Sequence, residues 1–169
     1  MKKLLLATLL VLGGVSSVWA ENCPMVQSNE TALVCTEVVF NDTGSALTSG
    51  SVVAWDDDDT DFSTSGRPYV TSTTTADDPY TAGVIQDASC ADQTLCTIVT
   101  RGLTNVLIGN STDDTAVDTQ VGATTVAGMA GDYGTGANTC MLGTLVSYHI
   151  GDTAQDGILA RVFVDIDCD

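Results

Sequence analysis

The acidic run after position 55 is the stretch whose residue types and spacing best fit metal chemistry. Asp57, Asp59 and Asp61 alternate on a segment that directly follows an apolar strand predicted to end at Trp55. Alternating carboxylates on a loop are ligands that a hard cation such as Ca²⁺ prefers. The EF-hand pattern fails, because the sixth position counted from Asp57 is Phe62 instead of glycine. We interpret this segment first as a solvated acidic turn, with a calcium loop of another design as the alternative, and we predict no other cofactor.

His149 is the only histidine, so any Ser-His-Asp or Cys-His mechanism would have to use it. No G-x-S-x-G pattern supplies a serine nucleophile. On its predicted strand His149 shares a face with Leu145 and Ser147, which is typical of a partly exposed structural histidine. Aspartate is so abundant that no particular carboxylate pair points to glycoside hydrolysis. We therefore predict no catalytic residues and no enzymatic activity.

The first twenty residues have the pattern of a secretory signal peptide. Lys2 and Lys3 form a basic head, an apolar run spans residues 4–15, and Ala20 ends a small-residue cleavage site. We expect cleavage before Glu21 and a secreted product, in the extracellular space or on the cell surface. No later apolar run approaches the roughly 18 residues of a membrane span, so we expect no membrane association after cleavage.

The predicted mature chain is strongly acidic. The full sequence has 22 Asp and Glu against five Lys and Arg. Loss of the two lysines of the signal leaves three arginines against 22 acidic residues, a net charge of −19. Such a surface repels phosphate backbones and anionic lipid headgroups, which argues against nucleic-acid and membrane partners. Solubility in a salty medium is the simplest explanation of the charge.

The six cysteines all lie beyond the predicted cleavage point. An even number of cysteines in an oxidising compartment predicts three disulfides, although the sequence leaves other pairings open. A metal site is disfavoured, because no C-x-x-C occurs and the histidine is far from every cysteine in sequence. The first pair in our preferred pairing brackets a short polar loop and the others follow by elimination: Cys90 with Cys96, Cys140 with Cys168, and Cys23 with Cys35.

Short segments rich in β-branched residues alternate with clusters of Gly, Asp, Asn and Ser, and no apolar stripe persists at helical spacing. We predict an all-β single domain, a jelly-roll-like sandwich or barrel stabilised by disulfides. Within it, residues 21–43 form an N-terminal strand or arm region and residues 44–169 the main part. The predicted strands span residues 33–40, 51–55, 69–74, 82–86, 97–101, 105–108, 120–127, 142–150 and 158–166.

The last predicted strand alternates most clearly, with even-numbered residues from Ile158 to Ile166 on one face and odd-numbered residues from Leu159 to Asp167 on the other. Residues 131–134 and 41–44 are predicted turns. Asn29, Asn41 and Asn110 each begin an N-glycosylation pattern, and we interpret them first as turn residues.

An apolar strand ending in Trp55, the polar passage from Tyr69 to Pro79, and then Ala82-Gly83-Val84-Ile85 together resemble small β-barrel proteins that decorate phage heads. The resemblance covers residues 44–167 in outline. It implies a module that assembles through repeated lateral contacts and catalyses nothing. The export signal and the six cysteines depart from that family, and they move the expected assembly to the cell exterior.

We therefore predict a secreted structural subunit that polymerises with itself into an extracellular filament, sheath or surface coat. The polar segment from residue 21 to 34 is expected to reach into a neighbour's sheet edge. The high charge opposes close packing, so assembly is expected to need salt or divalent cations. The alternative is a monomeric, calcium-dependent module that binds a glycan or a cell-surface partner.

Overall fold

A computed structural model describes residues 34–56, 67–109, 118–134, 139–147 and 158–168. These ranges contain strands and turns, which confirms the all-β prediction, and none of their residues belongs to a helix that could cross a membrane. The strands are β1 (Cys35–Asn41), β2 (Leu47–Thr48), β3 (Val52–Trp55), β4 (Tyr69–Ser72), β5 (Thr81–Ile85), β6 (Ser89–Cys90), β7 (Leu95–Ile108), β8 (Gln120–Ala123), β9 (Ala130–Asp132), β10 (Cys140–Ser147) and β11 (Ile158–Cys168).

Nine strands form one sheet that closes on itself twice. Their order is β1-β4-β3-β5-β7-β11-β10-β8-β9, and β7 pairs additionally with β1 and with β9. The first closed circuit, which we call the N-terminal ring, consists of β1, β4, β3, β5 and the first half of β7. The second, the C-terminal ring, consists of the second half of β7 with β11, β10, β8 and β9. Of the two predicted architectures, the chain therefore adopts the barrel.

Strand β7 belongs to both rings because it continues for 14 residues. Its first half pairs with β1, from Phe40 opposite Leu95 to Cys35 opposite Arg101, and its second half pairs with β11. The change of partner occurs beside Gly102, whose φ of 108° is rarely adopted by residues with a side chain. The sequence predicted two separate strands here, and this prediction was wrong, because glycine allows one strand to pass from ring to ring.

Each ring encloses its own apolar core, and the strands between the two cores are buried on both faces. On β3, Val53 points into the N-terminal core and Val52 into the C-terminal core. On β5, Ile85 and Val84 divide in the same way. This explains why β5 is a continuous buried run instead of an alternating one. One wall of the C-terminal core is thus built by the N-terminal ring.

The strand predicted over residues 120–127 ends earlier, at Ala123, because the chain reverses there. The Thr124 hydroxyl accepts a hydrogen bond from the Val126 N–H at 3.2 Å, and the Thr124 N–H donates to the Met129 carbonyl at 3.0 Å. The returning chain forms β9, which pairs with β8 up to Asp132 opposite Val121. The prediction of a turn over residues 131–134 was therefore wrong at its first two residues. The two-residue strands β2 and β6 were also not predicted.

Asn41 ends β1 and ties the β2–β6 ribbon to the N-terminal ring. Its side chain is fully buried, and its Oδ1 accepts from the Thr43 N–H at 3.0 Å. The Nδ2 is directed at the backbone carbonyls of Ser45 (2.9 Å), Cys90 (3.1 Å) and Ala91 (3.1 Å). The turn interpretation is confirmed, and this amide is not accessible for glycosylation in the folded chain. Asn29 and Asn110 lie outside the described residues.

Candidate functional site

Two predicted disulfides join residues that the structure describes: one links the β2–β6 ribbon to the N-terminal ring, and the other lies within the C-terminal ring. Cys35 is also disulfide-bonded, and its predicted partner, Cys23, lies outside the described residues. The two bonds are Cys90–Cys96, which links β6 to β7 with 5.7 Å between the Cα atoms, and Cys140–Cys168, which links directly paired residues of β10 and β11 with 4.1 Å between the Cα atoms. These covalent links fix the ends of strands.

The predicted calcium ligands Asp57, Asp59 and Asp61 lie outside the described residues, and so does His149. Asp56, just before them, donates its N–H to the Tyr69 carbonyl at 3.0 Å, where β3 meets β4. Across the described ranges, no three His, Cys, Asp or Glu side chains are grouped closely enough to hold a metal ion. The calcium site stays a prediction from the sequence.

The loop between β4 and β5 crosses from the N-terminal ring onto the C-terminal ring at Asp77. The Asp77 N–H donates to the Ala123 carbonyl at 2.8 Å, and its carbonyl accepts from the Cys140 N–H at 3.2 Å. The Gly134 N–H donates to Asp77 Oδ2 at 2.8 Å. The residue has a φ of 50°, in the left-handed region that Asp and Asn tolerate better than most residues. The passage on which the phage resemblance rests therefore links the two rings.

The carboxyl group of Asp77 is buried, and only one of its oxygens is hydrogen-bonded. The side chain is 9% exposed, and Oδ1 makes no hydrogen bond. Burial raises the pKa of Asp77, and the hydrogen bond from Gly134 lowers it by a smaller amount. Oδ1 packs against Gly122, where an added Cβ would contact it and the Tyr133 ring. Since backbone fills this space, the group is a structural contact between the rings instead of a ligand site.

The outer face of the C-terminal ring carries apolar side chains that are open to solvent. Residues paired across β7 and β11 point to the same side of the sheet. Phe163 is 37% exposed and Leu159 is 49% exposed. The pairs on this outer side are Leu103 with Phe163, Asn105 with Arg161, and Leu107 with Leu159. We call these six residues the β7–β11 face.

Arg161 lies at the centre of this face, between the two apolar pairs. Its side chain is exposed, and within the described ranges it makes no ion pair. The neighbouring Arg101 instead pairs with Asp165 at 3.3 Å, and both side chains are more than half exposed. With a net charge of −17 for the whole chain, the face combines apolar surface with a charge opposite to that of the protein.

The alternation predicted for the last strand is confirmed by its burial, but the sequence analysis did not identify its outer face as a site. The available signal was Leu159 and Phe163, two large apolar residues on the side that also carries Arg161, Asp165 and Asp167. The contribution of β7 depends on the pairing register, which the sequence does not show.

Comparison with known proteins identifies a similar fold, whereas the comparisons of sequence find no match. No protein-family model matches this chain, and no curated protein sequence matches it. Among solved structures, the chain is similar to the head fiber gp8.5 N base of bacteriophage phi29, with a TM-score of 0.50 and 13% sequence identity. The match covers 78% of this chain and 94% of the phage chain. At this identity the similarity is one of fold, and it loosely supports the resemblance to phage structural proteins.

Proposed function

We propose that this protein is a secreted structural subunit that assembles with itself outside the cell into a filament, sheath or surface coat, with no catalytic step of its own. The β7–β11 face is the observation that carries the proposal. Clustered exposed apolar side chains on a soluble protein mark interaction surfaces. Aromatic residues and arginine are also the side chains most enriched where protein interfaces gain their binding energy.

The closure of the sheet favours assembly through faces over assembly through strand edges. Each strand of the nine-stranded sheet has a neighbour on both sides. Addition of a strand from another subunit requires an unpaired edge, and within the described ranges every strand of this sheet is paired along at least part of each side. Residues 21–33 lie outside the described residues, so the reach of this segment into a neighbour's edge stays a prediction, and our proposal adds contact between outer faces.

The similarity of fold to a phage head fiber base supports a structural class for this chain. The export signal and the cysteines then favour a disulfide-stabilised subunit outside the cell. Each mature subunit would carry a net charge of −19, so low ionic strength should disfavour assembly and salt or divalent cations should promote it.

The test begins with the full chain, expressed with its own first twenty residues and purified without reductant from the exported fraction. Mass spectrometry of the N-terminus checks cleavage before Glu21. Negative-stain electron microscopy then compares low salt, physiological salt and millimolar Ca²⁺. Ordered polymers in salt or Ca²⁺ support the proposal. Dispersed particles under all conditions overturn self-assembly, and a monomer stabilised by Ca²⁺ would favour a calcium-dependent binding module.

A further inference from the structure

We propose that the β7–β11 face of one subunit docks onto a second copy of this chain at the opposite end of β7, around Leu95, so that subunits associate head to tail. This inference rests on the self-assembly proposed above. It specifies which two surfaces meet and that they are different surfaces, so that the contact is directional.

The second surface is formed where β1 ends beside the start of β7. Leu95 is 57% exposed, and it is paired with Phe40, whose ring lies 4.8 Å from that of Tyr69. Next to this pair, Asp92 accepts a hydrogen bond from the Gly44 N–H, and Asp42 accepts one from the side chain of Gln93. We call Phe40, Asp42, Asp92 and Leu95 the Leu95 corner. It combines an exposed leucine and a half-buried phenylalanine with two carboxylates.

The face and the corner are opposite in charge, and both carry apolar side chains. The face presents leucine and phenylalanine around Arg161, and the corner presents leucine and phenylalanine beside Asp42 and Asp92. Within the described ranges, neither of these carboxylates is ion-paired. The corner of a second copy thus supplies an acidic and apolar surface that complements the face. Charge complementarity determines how two such surfaces align.

Charge also disfavours the symmetric alternative, in which two copies of the face meet. Centring one face on another brings Arg161 close to the partner's Arg161, and like charges in contact oppose association. A contact between two different surfaces avoids this repulsion. The face lies on the C-terminal ring and the corner on the N-terminal ring, so each docked subunit leaves one surface of each kind free, and the assembly can continue to grow.

The experiment uses two variants of the exported full chain, Phe163→Glu in the face and Leu95→Glu in the corner. The matched control is Thr125→Glu, which adds the same charge at an exposed position in the β8–β9 turn. Circular dichroism and thermal unfolding verify that each variant is folded. Sedimentation velocity and electron microscopy then follow assembly under the conditions in which the wild-type chain polymerises.

We expect each face or corner variant to remain monomeric and the control to polymerise like the wild-type chain. An equimolar mixture of the two variants should form dimers and nothing larger, because the intact corner of one binds the intact face of the other. Arg161→Glu, a change at an exposed position that does not threaten folding, should raise the concentration needed for assembly by about tenfold or more.

Each contrary result has a separate meaning. Normal polymerisation of both Phe163→Glu and Arg161→Glu overturns the face as the contact surface but leaves self-assembly intact. Monomeric single variants that fail to form dimers when mixed overturn the head-to-tail pairing. A wild-type chain that never assembles overturns both this inference and the proposed function.

Discussion

The two rings differ in what each needs from the other. Every side chain of the N-terminal core comes from β1 to β6 or from the first half of β7. The C-terminal core, in contrast, includes Val52, Val84 and Val99, which belong to strands of the N-terminal ring. The dependence is therefore one-sided. The N-terminal ring and the β2–β6 ribbon have a complete core of their own, whereas the C-terminal ring cannot bury its apolar side chains without the wall that its neighbour provides.

The rings also differ in how they expose apolar surface. The wall strands of the N-terminal ring are covered on both sides, and the β7–β11 face of the C-terminal ring is open. The ring that depends on the other for its core thus carries the proposed docking face. The N-terminal ring contributes only the smaller surface of the Leu95 corner, where Leu95 is 57% exposed.

The largest difference between the rings should follow removal of their disulfides. Cys140→Ala with Cys168→Ala should lower the free energy of unfolding by about 4 kcal/mol, and Cys90→Ala with Cys96→Ala by about 2 kcal/mol. The first bond spans 28 residues and the second only 6, so the first restricts the unfolded chain more. Denaturant titration of both double variants measures the difference. Equal losses would contradict this account.

A pair of valine substitutions tests the one-sided dependence. Val84→Ala and Val53→Ala each remove a fully buried side chain and should each cost about 2 kcal/mol. Val84 faces the C-terminal core, so its loss should reduce hydrogen-exchange protection mainly in β10 and β11. Val53 faces the N-terminal core, so its loss should reduce protection in both rings.

The control is Val146→Ala, since that side chain is 44% exposed and its removal should change stability by less than about 0.5 kcal/mol. Protection that falls in the N-terminal ring alone after Val53→Ala would show that the C-terminal ring does not depend on it.

The contact between the rings at Asp77 should depend on pH. Burial raises the pKa of this carboxyl, so between the ordinary and the raised value the folded chain binds more protons than the unfolded chain. Its contribution to stability is therefore present at low pH and is lost as the pH rises. Asp77→Asn removes the buried charge and keeps a residue that tolerates positive φ. It should stabilise the chain by about 1 kcal/mol at neutral pH.

This gain should vanish in acid, where Asp77 itself is protonated. Thermal unfolding of both chains across the acidic and neutral range measures it. Asp78→Asn is a useful comparison, because both carboxylate oxygens of Asp78 already accept hydrogen bonds, from Thr73 and from the Tyr80 N–H. A variant at position 77 that is less stable than the wild type at neutral pH would contradict the argument.

The smallest effect concerns calcium. The predicted ligands Asp57, Asp59 and Asp61 follow β3 in the sequence, so bound Ca²⁺ should stabilise the N-terminal ring. At a concentration equal to the dissociation constant, binding adds about 0.4 kcal/mol. Thermal unfolding with and without Ca²⁺ measures this shift, and the variant with all three residues changed to Asn should lose it. An identical shift in that variant would assign the effect to general screening of charge.

The sequence contained enough information for the fold class and for the clearest strand. Strict alternation from Ile158 to Ile166 predicts one buried and one outer face, and both are observed. The short polar loop between Cys90 and Cys96 likewise predicted a local disulfide. These features depend on neighbours in sequence, where periodicity and spacing are informative.

The closure of the two rings could not be predicted from local patterns, because it depends on pairing between distant segments. The pairing of β7 with β9 consists of Ile108 opposite Ala130, and β9 itself has only three residues. The fully buried β5 shows no alternation that would reveal a strand between two cores. The candidate face has the same limitation, since Leu103 and Leu107 join it only through their register with β11.

The strand shared by the two rings also determines how the molecule would carry mechanical load. Strand β7 is held by six residue pairs with β1 and eight with β11, all antiparallel. The proposed contacts lie at its two ends, so tension along an assembly would act along the axis of β7, perpendicular to its backbone hydrogen bonds. Backbone hydrogen bonds loaded in this direction resist in shear as a group instead of opening one after another. A single continuous strand would thus carry the tension through each subunit.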